Sequence, residues 1–147
     1  MDLMQYLDTT ADTVDKVIYR YFGDVFGDLF RAGAHLLLAG GYRLLARFVI
    51  HTVGPVYRGR PQDARLLAGC YRHSLQLALQ HDLRTIAFPA ISCGVYGYPI
   101  IDAARIALET TAAVLDTTDR LERVVFVLFS AADLETYRRC LADLAAR

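Results

Sequence analysis

The sequence predicts an α/β domain in which helical crossovers join strands of a parallel sheet, with helices on both faces. Three observations carry the prediction. Strand-length apolar runs alternate with segments whose apolar residues recur at helical spacing. Gly and Pro punctuate the junctions between them. The chain has 147 residues, 54% of them apolar. That suits a single domain, since domains cluster near ~100–150 residues, and it excludes a disordered chain.

The elements follow in order from Ala46. Phe48 to Val53 is a β-branched run closed by Gly54-Pro55, a strand and then a turn. Pro61 to His81 places Leu67, Cys70, Tyr71, Ser74, Leu75, Ala78 and Leu79 on one helical face. Thr85 to Phe88 is a short strand stopped by Pro89. Pro99 to Leu115 is a second helix, with Ala103, Ala104, Ala107, Leu108, Thr111 and Leu115 in its stripe and Pro99 in the first turn, where its missing N–H costs nothing. Arg123 to Phe129 reads as a strand buried on both faces. Ser130-Ala131-Ala132-Asp133 resembles a capping box and opens a last helix with Leu134, Tyr137, Leu141 and Leu144 inward. Before Ala46 the pattern is weaker. Val14 to Phe22 has a helical face interrupted by Gly23 and Gly27, and Ala34 to Ala39 reads as a short strand turning at Gly40-Gly41.

Bulk composition narrows the function. The formal net charge is zero, whereas a dedicated nucleic-acid binder carries a basic surplus. The basic spots Arg58/Arg60 and Arg138/Arg139 read as solvated surface. Three widely spaced cysteines, Cys70, Cys93 and Cys140, form neither a zinc ribbon nor a disulfide framework. They fit a reducing cytoplasm. No apolar run reaches the ~20 residues of a membrane span, and the start of the chain lacks the basic region of a signal peptide. His35, His73 and His81 have no metal-ligand spacing, and no metal or cofactor is implied. His51, in mid-strand, reads as a hydrogen-bonded structural histidine. Cys70 and Cys140 read as core fillers.

Ligands of parallel sheets sit beyond the carboxyl ends of the strands. The loops 54–59, 90–98 and 130–133 are therefore the candidates, and Ile91-Ser92-Cys93-Gly94-Val95-Tyr96-Gly97-Tyr98-Pro99 is the most informative. Gly94 and Gly97 permit backbone conformations closed to other residues and let a ligand approach the main chain. Successive N–H groups in such a loop form an anion-binding concavity, to which the following helix adds partial positive charge. Ser92 offers a hydroxyl and Tyr96 a flat ring for a sugar. The implied ligand is a phosphate or diphosphate held by backbone; the alternative is a glycine-containing turn with no ligand. Cys93 in an anion-binding loop is a candidate nucleophile through a lowered pKa, but no base is identifiable beside it.

Three stretches resemble the macro domain family: Phe48 to Tyr57, Cys70 to Leu75, and Ala87 to Pro99. They occur in family order, and the likeness runs from about Gly41 to Leu144. It is closest to the bacterial and mitochondrial branch, whose members bind ADP-ribose and remove it from acidic side chains or deacetylate O-acetyl-ADP-ribose. The resemblance implies a three-layer α/β/α sandwich around a mixed, partly parallel sheet, as one domain over residues 1–147. It makes Ser92, Cys93, Gly94, Val95, Tyr96 and Gly97 the diphosphate loop, with Tyr96 near the distal ribose. Cys93 stands where this branch has Thr. The implied partner is ADP-ribose or an ADP-ribosylated protein.

The front of the family pattern is missing or replaced. The composition contains no asparagine, so the family's Asn-Ala-Ala-Asn strand end is absent. Its glycine-rich loop is replaced by Thr9-Thr10-Ala11-Asp12-Thr13, within a divergent segment spanning residues 1–33. Val14 to Gly23 aligns weakly with the helix after that loop. This places Asp15 on the catalytic acidic residue, with a plain surface or cap residue as the alternative. A carboxylate beside a diphosphate costs several kcal/mol if desolvated, and losing a positioned catalytic group costs about 10²–10³-fold in rate. The expectation is a binder of ADP-ribose with impaired catalysis. The alternatives are an ADP-ribosyl or O-acetyl-ADP-ribose hydrolase using Asp15, or a truncated fragment that binds nothing or only itself. Without the Asn-bearing strand an apolar edge is exposed. Tyr19, Tyr21, Phe22, Phe26 and Phe30 would cover that edge or form a homodimer interface.

Overall fold

A computed structural model describes Leu7–Asp8, Leu36–Gly41 and residues 45–147. In order, the elements are β1 (Leu7–Asp8), β2 (Leu36–Gly40), β3 (Phe48–Thr52), α1 (Pro61–Gln80), β4 (Thr85–Phe88), α2 (Ile100–Leu115), β5 (Arg123–Val127) and α3 (Ala131–Ala145). Asp15 and the aromatic cluster Tyr19, Tyr21, Phe22, Phe26 and Phe30 lie outside the described residues.

The fold is a mixed α/β architecture. One sheet has strand order β1-β5-β4, with both pairings parallel. Ile86 lies opposite Val124 and Phe88 opposite Phe126, so the large side chains of β4 and β5 share one face. The other sheet is the antiparallel pair β2–β3, with Leu38 opposite Ile50. The strand expected after Gly40-Gly41 does pair back on its predecessor, through a connection closed by the Gly41 N–H donating to Arg47 O at 2.8 Å. One expectation needs correcting. β3 pairs antiparallel with β2, and no pairing joins it to the parallel sheet among the described residues. Alternating side chains on a strand of this length suit a hairpin as well as a crossover, and the closer partner in sequence takes the ladder.

The core lies between the β4/β5 face and the helices. Tyr71, Leu75 and Ala78 of α1, Ala103, Ala104 and Ala107 of α2, and Tyr137 of α3 are fully buried there with Leu121 and Leu128. Alanines on α2 let it sit close between α1 and α3. Phe126 packs on Phe88 and on Tyr137, with ring centroids 6.0 Å and 5.4 Å apart. Each fully buried large side chain contributes about 1.5–3 kcal/mol. Thr85 and Ala87, on the opposite face of β4, are exposed, and Val125 and Val127 of β5 are half-buried. The strand expected to be buried on both faces is therefore fully buried on one only. It ends at Val127, and Phe129, expected within it, is 76% exposed. At the amino ends of the strands, ion pairs join Arg84 to Glu122 and Arg120 to Asp82. These are exposed pairs of small energetic weight.

Candidate functional site

The site is built where β3 and β4 run out. The loop after β3 and the loop after β4 are zipped together. The Tyr57 N–H donates to Tyr96 O at 2.9 Å, and the Tyr57 and Tyr98 rings meet with centroids 4.7 Å apart. Gly54 is buried at the junction. A Cβ there would lie 2.1 Å from Ser92 Oγ and 2.6 Å from Ile91 Cγ2, so only glycine lets the two loops close. Cys70 Sγ donates to Val53 O at 3.3 Å, tying the end of β3 to α1.

Two residues of the 90–98 loop take left-handed backbone, Ser92 at φ 66° and Gly97 at φ 67°. The sequence placed that freedom at Gly94 and Gly97. Gly94 instead has open space where its side chain would be. Four hydrogen bonds fix the loop. Ile91 N–H donates to the Tyr71 hydroxyl at 3.2 Å, Cys93 N–H to Ala90 O at 3.2 Å, Gly97 N–H to Gly94 O at 2.9 Å and Tyr98 N–H to Ser92 O at 2.9 Å. The N–H groups of Ser92, Gly94, Val95 and Tyr96 donate to no atom of the described residues. Gly94, Val95, Tyr96 and Gly97 are exposed, and Ser92 Oγ is buried without a hydrogen-bond partner. The next helix begins at Ile100 with Pro99 as its cap, which supplies no side-chain hydrogen bond. The result is a set of unspent donors in a largely exposed loop that leads into a helix N-terminus with no side-chain cap, an arrangement suited to an anion.

For the loop after β3, Asp63 is the organising carboxylate. It accepts from the N–H groups of Arg58 at 2.8 Å and Arg60 at 3.1 Å. Those two bonds hold its carboxyl below the usual carboxylate range. The thiol of Cys93 is pushed up to about 11 by burial and then by the nearby Asp133 carboxylate. Cys93 is thus a neutral thiol at physiological pH, and the lowered pKa that a nucleophile would need is absent. Burial also lowers the pKa of His51. Cys70 and Cys140 are buried in the core, as expected. Among the described residues, no group of three or more His, Cys, Asp or Glu could hold a metal ion, and no helix is long and apolar enough to cross a membrane.

Sequence reasoning missed three features near the carboxyl ends of the strands. Gly54 was read as a turn within a candidate loop and Tyr71 as helix core, neither as holding the 90–98 loop in place. Phe129, read as strand, is an exposed ring at the carboxyl end of β5. Only Gly54 left a signal, a glycine before proline at a strand end.

A family model described as Macro domain matches residues 9–107. The chain belongs to the macro domain family. Over 103 residues it is 54% identical to the Macro domain-containing protein CT2219 of Chlorobaculum tepidum, a match covering 69% of this chain and 60% of that protein. Over 110 residues it is 50% identical to the O-acetyl-ADP-ribose deacetylase of Klebsiella pneumoniae, covering 74% and 63%. Over 106 residues it is 49% identical to the ADP-ribose glycohydrolase MACROD2 of Xenopus laevis, covering 70% and 25%. This macro domain thus spans less than two thirds of the length of each of these relatives. Among solved structures, the Oceanobacillus iheyensis macrodomain with ADP superimposes with a TM-score of 0.73 at 43% identity, covering 76% of this chain and 59% of that one. The Trypanosoma brucei macrodomain in complex with ADP-ribose gives 0.67 at 42% identity, covering 72% and 44%.

Proposed function

We propose that this macro domain binds ADP-ribose, free or attached to protein, with the diphosphate on the Ser92–Gly97 loop. The observation that carries the reading is the set of unspent N–H groups at Ser92, Gly94, Val95 and Tyr96. A diphosphate offers those donors charged acceptors, and charge-assisted bonds of this kind are about twice as strong as neutral ones. Tyr96, 38% exposed, lends a face to the distal ribose. Catalysis is impaired, because no asparagine exists in the chain to orient ribose and water. Calorimetric titration with ADP-ribose tests the reading. Saturable heat with a 1:1 stoichiometry is expected, and no heat at millimolar ADP-ribose would refute it.

A second reading, hydrolysis of an ADP-ribosyl or O-acetyl-ADP-ribose ester with Asp15 as base, draws on the names of two relatives. Turnover of an ADP-ribosylated acidic peptide that is unchanged in Asp15→Ala would remove Asp15 from that mechanism.

A further inference from the structure

Tyr71 is fully buried on α1, yet its hydroxyl is not idle. It accepts from the Ile91 N–H at 3.2 Å and lies 3.4 Å from Pro89 O, to which it donates. Those two backbone groups flank Ala90, just past the last ladder residue of β4, Phe88. In a parallel ladder, a residue on the neighbouring strand would engage the same pair, donating to one and accepting from the other. The phenol thus supplies a rung where the sheet ends and the loop departs. The Ile91 N–H, which would otherwise be buried without a partner, is satisfied by this side chain, and the same hydroxyl reaches the Pro89 carbonyl. Immediately after Ile91 the chain enters the left-handed conformation of Ser92. Holding the Ile91 amide fixes where that turn starts, and with it the direction of the N–H groups that follow.

Tyr137 provides an internal comparison. It is equally buried, on α3, and packs against Phe126. Its hydroxyl has no hydrogen bond within normal geometry, holds no backbone group, and lies near enough to the Tyr71 hydroxyl for the two phenols to influence each other's ionisation. The two phenols share burial, and only Tyr71 holds loop backbone.

We infer that Tyr71 is a positioning residue for the diphosphate loop: its hydroxyl clamps Pro89 and Ile91 so that the donors of Ser92 to Tyr96 converge on the ligand. The inference rests on the ADP-ribose reading above. Its test compares wild type, Tyr71→Phe and Tyr137→Phe by calorimetry with ADP-ribose and by residue-resolved amide exchange of the free proteins. Tyr71→Phe is expected to weaken binding roughly tenfold and to speed exchange at Ile91 and Cys93, while Val124 to Val127 of β5 exchange as in wild type. Tyr137→Phe is expected to bind as wild type does. Tyr71→Phe binding within about twofold of wild type overturns the inference, whatever the exchange shows. Equal weakening by Tyr137→Phe also overturns it, since a loosened core would then suffice. If wild type gives no heat with ADP-ribose, the binding reading falls. Faster Ile91 exchange in Tyr71→Phe would then still uphold the clamp, and unchanged exchange would overturn it. Should Tyr71→Phe not fold, the wild-type amides decide: Ile91 exchanging far more slowly than Gly94 supports the clamp, and equal rates overturn it.

Discussion

The neighbouring parallel strands β4 and β5 leave the sheet in contrasting ways. After β5 the chain takes only Leu128, Phe129 and Ser130 to reach α3. Its helix start is capped by a side chain: the Ser130 hydroxyl accepts from the Asp133 N–H at 3.1 Å, and the Leu134 N–H donates to Ser130 O. After β4 the chain wanders from Pro89 to Pro99, two residues take left-handed backbone, and α2 starts with no side-chain cap. One exit is a closed helix cap. The other is a set of main-chain donors held in place and left unused. The difference teaches where a ligand is expected. A helix terminus capped by its own side chain has less to offer a ligand, whereas one whose approach is rigid yet uncapped is poised to be satisfied from outside.

The contrast can be broken most severely at Gly54. Gly54→Val puts a side chain against Ser92 Oγ and Ile91 Cγ2, so the two loops must part. Overpacking of this kind costs about 1–3 kcal/mol, a fall in Tm on the order of 5 °C for a chain of this size. ADP-ribose binding is expected to vanish in calorimetry, and retained binding would mean that the zipped loops are not the site. Ser130→Ala strikes the closed exit instead. Loss of the cap costs about 0.5–2 kcal/mol, read as a lower midpoint in urea, with ADP-ribose affinity unchanged. Ser92→Gly sharpens the contrast from within the open exit. Glycine relieves the left-handed strain, about 1–2 kcal/mol, but gains freedom in the unfolded chain worth about 0.5–1 kcal/mol. Stability should stay near wild type while affinity falls severalfold, because a buried, unpartnered hydroxyl is lost from the loop.

The smallest effect concerns pH. The Cys93 thiol sits at about 11, above its ordinary value, because burial and then Asp133 disfavour the thiolate. Between its unfolded and folded values the folded state binds more protons, so stability falls as pH rises. The contribution is fully present below about pH 9 and lost on the way to 11. Thermal midpoints between pH 8 and 11 should decline less steeply in Cys93→Ser than in wild type. Alkylation of Cys93 at neutral pH should be slow until the protein unfolds.

Most of the helices and strands from Phe48 onward were legible, since their patterns are local. Apolar positions recur at 3.6 along α1, α2 and α3, and Ser130 announces the last cap. The candidate loop was legible through its glycines and its place after a strand. What stayed hidden depends on partners distant in sequence. The Ile91 amide meets a hydroxyl 20 residues earlier, and Gly54 is pressed by side chains from the other loop. The left-handed turn falls at Ser92 rather than Gly94, since hydrogen bonds to Tyr71 and Tyr98 override local preference. The hairpin of β2 and β3 was legible through Gly40-Gly41, whereas the expectation that β3 also joins the parallel sheet went beyond the pattern, because alternation specifies a face and not a neighbour.

The central claim is that the free main-chain donors of Ser92, Gly94, Val95 and Tyr96 hold a diphosphate. Amide proton and nitrogen shifts during titration of ADP-ribose into isotopically labelled protein test it most directly. Those amides are expected to move most and saturate together, while the N–H of Asp133, already spent on Ser130, moves little. Saturable binding that leaves the Ser92 to Tyr96 amides in place would contradict it.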